Sequence, residues 1–257
     1  MGSISNALEI DWLDHVFENG AFGVPANIYI ALSTADPTEA GTGVAEPSGG
    51  NYARKVHNTW NAAAARKVTN NGVITFNTAS ASWGTITHYA IYDAITGGNF
   101  LGYGSLSVAK GVVSGNTPSI ADTEIEVSVT TGGFSDFLAH EMLDHTFKVG
   151  SYAQPSIFVA LSTTIPTDAG NVTEPSGNNY ARKAYGVWDA AAAGATENTG
   201  VITFNTPSGS WGLCVHAALY DALTTGNYLA RGDITDQTPD NGDTVRFNAG
   251  ALDVTLD

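Results

Sequence analysis

The sequence predicts an all-β protein made of two tandem antiparallel β-sandwiches, each preceded by a short amphipathic helix. Three observations lead there. The chain repeats itself once in order. Each repeat contains about six to eight short, strand-like runs separated by Gly- and Asn-bearing turns. The composition, with 29 glycines and only 14% charged residues in 257 positions, suits short elements packed around a core.

The repeat is read directly from the residues. Asn51-Tyr52-Ala53-Arg54-Lys55 returns as Asn179-Tyr180-Ala181-Arg182-Lys183, and Val73-Ile74-Thr75-Phe76-Asn77-Thr78 as Val201-Ile202-Thr203-Phe204-Asn205-Thr206. Ala31-Leu32-Ser33-Thr34 returns as Ala160-Leu161-Ser162-Thr163, and Ser82-Trp83-Gly84 as Ser210-Trp211-Gly212. The offset stays at roughly 127 to 130 residues, the size of an ordinary domain. The repeats are placed at residues 1–131 and 134–257, joined at Thr130-Thr131-Gly132-Gly133, and their β-rich bodies are expected to superpose.

A helix is expected at the start of each repeat. Leu8, Trp12, Leu13, Val16 and Phe17 follow helical spacing up to Asn19-Gly20, and Leu138, Met142, Leu143 and Phe147 up to Gly150. Asn6 with Glu9 three residues on reads as a capping box, with Asn in place of the usual Ser or Thr. In the first repeat, strands are expected at Asn27 to Thr34, Tyr52 to Trp60, Val73 to Asn77, Ile86 to Asp93, Phe100 to Leu106 and Glu124 to Val129. Within Ile86 to Asp93, His88, Ala90 and Tyr92 share one face and Tyr89, Ile91 and Asp93 the other. Asn70-Asn71-Gly72 and Gly97-Gly98-Asn99 supply turns. The longest irregular stretches, Ala35 to Gly50 and Thr164 to Asn178, occupy the same place in both repeats, where long loops are functional or mobile.

Composition excludes some functions. Ten basic against 25 acidic residues give a net charge of −15. No basic cluster is present to displace counterions, so no nucleic-acid partner is expected. No apolar run approaches the roughly 18 to 20 residues that span a bilayer. The start, Met1-Gly2-Ser3-Ile4-Ser5-Asn6, lacks the basic and apolar regions of a secretory signal, so synthesis in a cytosol and no membrane association are expected. Cys214 is the single cysteine, which rules out an intrachain disulfide.

Duplication helps weigh candidate chemistry, because a catalytic residue need survive in one copy only. Cys214 aligns with Ile86, as a buried core thiol would. His15 pairs with His145 and His88 with His216, without metal-ligand spacing; His57 and His140 have no such partner. A structural, hydrogen-bonded role is expected for the paired histidines. Asp14-His15 and Asp144-His145 are helical neighbours that do not face each other, so neither forms a dyad. Asp93 and Asp221 recur before a turn, where an Asp bonds backbone amides; glycosidase carboxylates would have to converge across a sugar. No EF-hand pattern supports a calcium site. Trp60 with Trp188, and Trp83 with Trp211, fit core packing better than sugar platforms. Arg231-Gly232-Asp233 spells an adhesion tripeptide, yet its counterpart is Tyr103-Gly104-Ser105, so it is read as incidental. Asn171-Val172-Thr173 is a formal glycosylation sequon without a secretory signal. No catalytic, metal or cofactor-binding residue is assigned, no cofactor is expected, and the chain is not expected to be an enzyme.

The repeated motifs carry a family likeness. Ala31-Leu32-Ser33-Thr34 leads to Asp36-Pro37-Thr38-Glu39-Ala40-Gly41 and then to Glu46-Pro47-Ser48-Gly49-Gly50-Asn51-Tyr52-Ala53-Arg54-Lys55. Ser82-Trp83-Gly84, Ile91-Tyr92-Asp93-Ala94 and a glycine turn follow, and the second copy ends on Asn241-Gly242-Asp243-Thr244 and Ala249 to Leu256. This order resembles a family of tailed-phage virion proteins labelled tail fibre or head fibre, usually with one such unit rather than two. The resemblance implies a virion structural protein assembled in the host cytoplasm, with other capsid or tail proteins and itself as partners. It implies no catalytic residues. Asp36 becomes Ile165 and Gly50 becomes Asn178 in the second copy, which argues against a ligand role for Asp36. The leading expectation is a capsid-decoration or head-fibre component. The alternative is a tail-fibre or receptor-binding component that recognises a host-surface glycan. The two long loops are the expected attachment elements, with the N-terminal helices as rivals because an apolar helix face must be buried somewhere.

Overall fold

A computed structural model describes residues 2–130 and 132–256. In the first repeat it places β1 (Gly2–Ile4), α1 (Asn6–Val16), β2 (Tyr29–Ser33), β3 (Lys55–Val56), β4 (Lys67–Thr69), β5 (Ile74–Thr75), β6 (Gly84–Tyr92), β7 (Phe100–Val112), β8 (Ser119–Ile120) and β9 (Glu126–Ser128). The second repeat follows with α2 (Asp136–Thr146), β10 (Phe158–Ser162), β11 (Lys183–Ala184), β12 (Ala195–Glu197), β13 (Ile202–Thr203), β14 (Cys214–Tyr220), β15 (Tyr228–Gln237), β16 (Arg246–Phe247) and β17 (Asp253–Thr255). Of the expected junction, Thr131 lies outside the described residues.

The first repeat's main sheet has seven strands in the order β3-β2-β6-β7-β1-β9-β4. All its pairings are antiparallel except β1 with β9, so the sheet is not purely antiparallel as expected. The small β5–β8 ladder forms a second layer. Phe76, Pro118 and Ile120 from that layer meet Leu32, Ile86, Leu106 and Val112 of the main sheet. That two-layer core is the expected sandwich. The second repeat has the same plan: β11-β10-β14-β15, then bridges from Phe134 to Ala230 and from Gly132 to Leu256, which lead to β17 and β12. Its second layer is β13 with β16.

Strands β1, β4 and β8 lie outside the expected runs; of the runs expected at Tyr52 to Trp60 and Val73 to Asn77 only the short β3 and β5 form, while β7 continues past Leu106 to Val112. The alternation expected along Ile86 to Asp93 gives way to burial of Tyr89, Ala90, Ile91 and Tyr92 alike. Both faces of β6 are covered there, as the long loop lies over Ala90 and Tyr92. The helix cap also differs from expectation. Ser5, not Asn6, is the N-cap, since its hydroxyl accepts the Leu8 amide at 3.2 Å. Ser135 does the same for Leu138 at 3.1 Å. A side chain on Asn6 already lies inside the first turn and cannot reach back in this way.

Two compact units emerge, and they do not follow the repeats end to end. Unit 1 comprises Met1–Glu9, Gly23–Thr130 and His140–Tyr152. Unit 2 comprises Ile10–Phe22, Thr131–Ala139 and Ala153–Asp257. Each unit therefore takes the C-terminal end of the helix that begins the other repeat.

Buried asparagines support both units. Asn70 is fully buried, and its amide donates to the carbonyls of Gly72 (2.8 Å) and Ala121 (2.9 Å) while its Oδ1 accepts the Ile125 amide (2.8 Å). Asn198 repeats the arrangement with Gly200, Asn248 and Leu252.

Candidate attachment site: two clasped loops

The long loop of the first repeat is closed at its base by Ser33, the last residue of β2. Its buried hydroxyl accepts the amides of Ala35 (3.3 Å) and Ala45 (3.0 Å), and the Thr34 amide donates to Ala45 O at 3.0 Å. Inside the loop, Asp36 Oδ1 accepts the Thr38 amide (3.0 Å) and the Gly43 amide donates to Pro37 O (2.9 Å). Gly41 sits at φ 72° with its Cα against the Phe100 ring, where a Cβ would approach to 2.8 Å. Val44 then lies on Ala31, Ala90 and Tyr92.

An arginine clasp fixes the far end. Arg54 Nη2 lies 2.7 Å from Glu46 Oε1, and its Nε donates to the same carboxylate at 3.0 Å. Its Nη1 reaches the carbonyls of Ala94 (3.0 Å) and Gly97 (2.7 Å) in the turn after β6, and the guanidinium lies 3.4 Å from the centre of the Tyr92 ring. Tyr52 donates to Glu46 Oε2 at 2.8 Å and accepts the Leu32 amide at 2.9 Å. Burial first, and then the Glu46 carboxylate, push the Tyr52 phenol well above its usual value, so it stays a donor. The fork geometry suits arginine, because one planar group must serve a carboxylate, two carbonyls and an aromatic face together.

The second repeat reproduces these contacts. Ser162 accepts the amides of Thr164 and Thr173, both at 3.3 Å. Arg182 holds Glu174 at 2.7 Å and the carbonyls of Ala222 (2.8 Å) and Thr225 (2.6 Å), and stacks 3.4 Å from the Tyr220 ring. Both arginine side chains are 9% exposed. Thus the loops are irregular in backbone but anchored at both ends. Along them, Ala35, Asp36, Thr38, Ala40, Thr42 and Ser48 are exposed in the first copy, and Ile165 stands 67% exposed in the second. Beside the second clasp a shallow depression of 510 Å³ is lined by Glu174, Pro175, Tyr180, Arg182 and Leu223. Leu223 is 51% exposed, and Ile95, at the same turn position of the first repeat, is 52% exposed.

The other candidates fall into structural places. Trp60, Trp83, Trp188 and Trp211 are all buried. Trp83 donates to Gly50 O and Trp211 to Asn178 O, each at 2.9 Å, so these rings pin the loop ends instead of offering a sugar platform. His15 and His145 are buried and accept the amides of Phe22 (3.1 Å) and Tyr152 (2.9 Å). His88 bonds Thr87 at 2.8 Å, and His216 meets Asp233 at 2.9 Å. Asp93 accepts both the amide and the side chain of Asn99 at 2.7 Å, and Asp221 treats Asn227 in the same way. Arg231 of the adhesion-like tripeptide pairs with Asp168. Among the described residues no group of three or more His, Cys, Asp or Glu could hold a metal ion. Among the described residues no helix is long and apolar enough to cross a membrane.

Cys214 is fully buried in β14, and burial pushes its thiol up to about 11. A maleimide-type reagent at neutral pH should label the native chain at least about a hundredfold more slowly than the denatured chain. Native labelling at the denatured rate would contradict the buried placement.

The clasp residues stand in the sequence among the repeated family motifs, with no local pattern that assigns them a role. The available signal was joint recurrence: Glu46, Tyr52, Arg54 and Tyr92 return together as Glu174, Tyr180, Arg182 and Tyr220.

A duplicated two-layer β-body that carries the same clasp on a loop of each repeat has the build of a structural component. A family model described as Podophage GP4 fiber I protein gp80 matches residues 3–128 and again 133–255. The chain belongs to this phage fibre family, as a tandem duplication of it. It is thus a phage virion component with a structural role among other virion parts. No curated protein matches the chain.

Proposed function

We propose that the chain is a non-enzymatic fibre component that docks on the particle surface, on the head shell, through its two clasped loops. The single observation that carries this reading is the duplicated clasp. Two loops with exposed, mostly small side chains are held rigid by the same Arg–Glu–Tyr contacts in both units. A rigid loop loses little conformational freedom on docking, so more of the contact energy remains as affinity. Two like surfaces on one chain can also engage two like sites, which raises avidity without any new kind of contact.

The test replaces Ala35–Val44 or Thr164–Val172 with a short Gly-Ser link, which spares Glu46 and Glu174. Each variant should fold and yet be incorporated into particles at least about tenfold less than the parent chain. Normal incorporation of both variants would remove the loops as the anchor; the helices, expected as rivals, have their apolar faces buried within the chain itself. Locating the chain in a reconstruction of the intact particle distinguishes the head shell from a tail position.

A further inference from the structure

We propose that the two repeats assemble by reciprocal exchange of helix ends: the partner that each β-body is built to receive is the helix end of a second copy of the repeat. The covalent link at Thr130–Gly133 is then dispensable for their association. This goes beyond the attachment role and does not depend on it.

The receiving surface in unit 1 is a tight hairpin and a tryptophan. Ala64 and Lys67 exchange both backbone hydrogen bonds (2.9 and 3.1 Å) around Ala65 and Arg66, which sit at φ 49° and 59°. That two-residue turn, unusual without glycine, aims its amides outward from the ladder. The amide of Ala63 donates to Asp144 Oδ1 at 2.6 Å and that of Arg66 to His140 Nε2 at 2.8 Å. Phe147 is fully buried against Trp60, with ring centres 4.5 Å apart. Lys148 Nζ reaches Pro25 O at 3.2 Å. His140, Asp144, Phe147 and Lys148 of this set all belong to the second repeat, and the groups they meet all belong to the first.

Unit 2 shows the converse. The Ala191 amide donates to Asp14 Oδ1 at 2.7 Å, and Phe17 lies 4.6 Å from Trp188. The Asn19 side chain reaches Asp189 O at 2.5 Å, and Gln154 donates to Gly20 O at 3.0 Å. The equivalence is residue by residue: Asp14 with Asp144, Phe17 with Phe147, Trp188 with Trp60, and Ala191 with Ala63. A contact set that survives duplication on both sides is a recurring module. Exchange of an identical element between copies is the usual low-cost route to a two-fold assembly. An 11-residue helix is marginal by itself, so each helix also depends on the bodies at its two ends.

Two measurements on the full-length chain test this. First, a specific protease site is inserted after the exposed Thr130 and cleaved in the native protein. The two fragments should stay together and run at the mass of the uncut chain with its inserted site, above the parent's 26.7 kDa, in native mass spectrometry. Fragments that separate as folded monomers would overturn the proposal. Second, hydrogen exchange is compared for Phe147→Ala and Phe17→Ala, which need no cut and decide the matter if the insertion prevents folding. Phe147→Ala should lower protection on the order of a hundredfold within residues 23–130 and spare 153–257. Phe17→Ala should do the reverse. Asp144→Ala, which removes only the acceptor for Ala63, should change residues 23–130 in the same direction by less. If Phe147→Ala instead loosened 153–257 and left 23–130 protected, each helix end would serve its own repeat and the exchange would be refuted.

Discussion

Arg54→Ala is expected to destabilise unit 1 by about 3 kcal/mol, because it breaks a mostly buried ion pair and leaves its partners in place. Glu46 would keep its charge with the side chain only 23% exposed, retaining the Tyr52 hydroxyl at 2.8 Å as its remaining donor. The carbonyls of Ala94 and Gly97 would lose the donor that ties the turn after β6 to the loop, and Tyr92 would lose the cation stacked on it. The figure is placed at the low end of the range for buried pairs because Glu46 retains some contact with water. Arg54→Lys should recover less than half of the loss, since a single ammonium cannot serve a carboxylate and two carbonyls at once. Urea unfolding gives the energy, and hydrogen exchange in residues 35–50 gives the place. A change under about 0.5 kcal/mol with unaltered loop protection would show that the loop is held by Ser33 and Val44 alone.

The same residues show how far the sequence could be read. The two helices and strands β2 and β6 were legible because each leaves a pattern within its own segment, the repeat because its motifs return in order, and β7 only as far as Leu106 of its span to Val112. The buried tryptophans were legible as core because they recur in both copies. The clasp was visible only as recurrence, since the contact from Arg54 to Gly97 closes a long loop that no local period reports. Strand β1 was invisible for a related reason: three residues, paired with the distant β7 and β9, carry no alternation. The exchange of helix ends was least legible. The apolar stripe shows that Phe17 and Phe147 must be buried, but the stripe is the same whichever β-body buries them.

Asn70 bears more of the fold than its turn signal predicts. Asn70-Asn71-Gly72 reads as a turn, and a turn is present, yet Asn70 is fully buried and joins three backbone segments. Asn70→Asp keeps the shape and removes both N–H donors. The carbonyls of Gly72 and Ala121 would then face a carboxylate oxygen in place of an amide, at a side chain that is fully buried. Two part-buried acceptors left without their donor, plus the repulsion between oxygens around a buried charge, should cost about 3 kcal/mol at neutral pH. The pH dependence has a definite sign. Burial raises the folded pKa of the introduced carboxyl above the unfolded value of about 3.9. The variant's deficit is therefore largest above the folded pKa and shrinks as pH falls through it, because the protonated acid can donate to one of the two carbonyls. Asn198→Asp should behave alike through Gly200 and Asn248. Urea unfolding of the variants and the parent across pH provides the check. Equal stability at pH 7, or a gap that widens on acidification, would mean that the amide donors of Asn70 and Asn198 do not bear the load assigned to them.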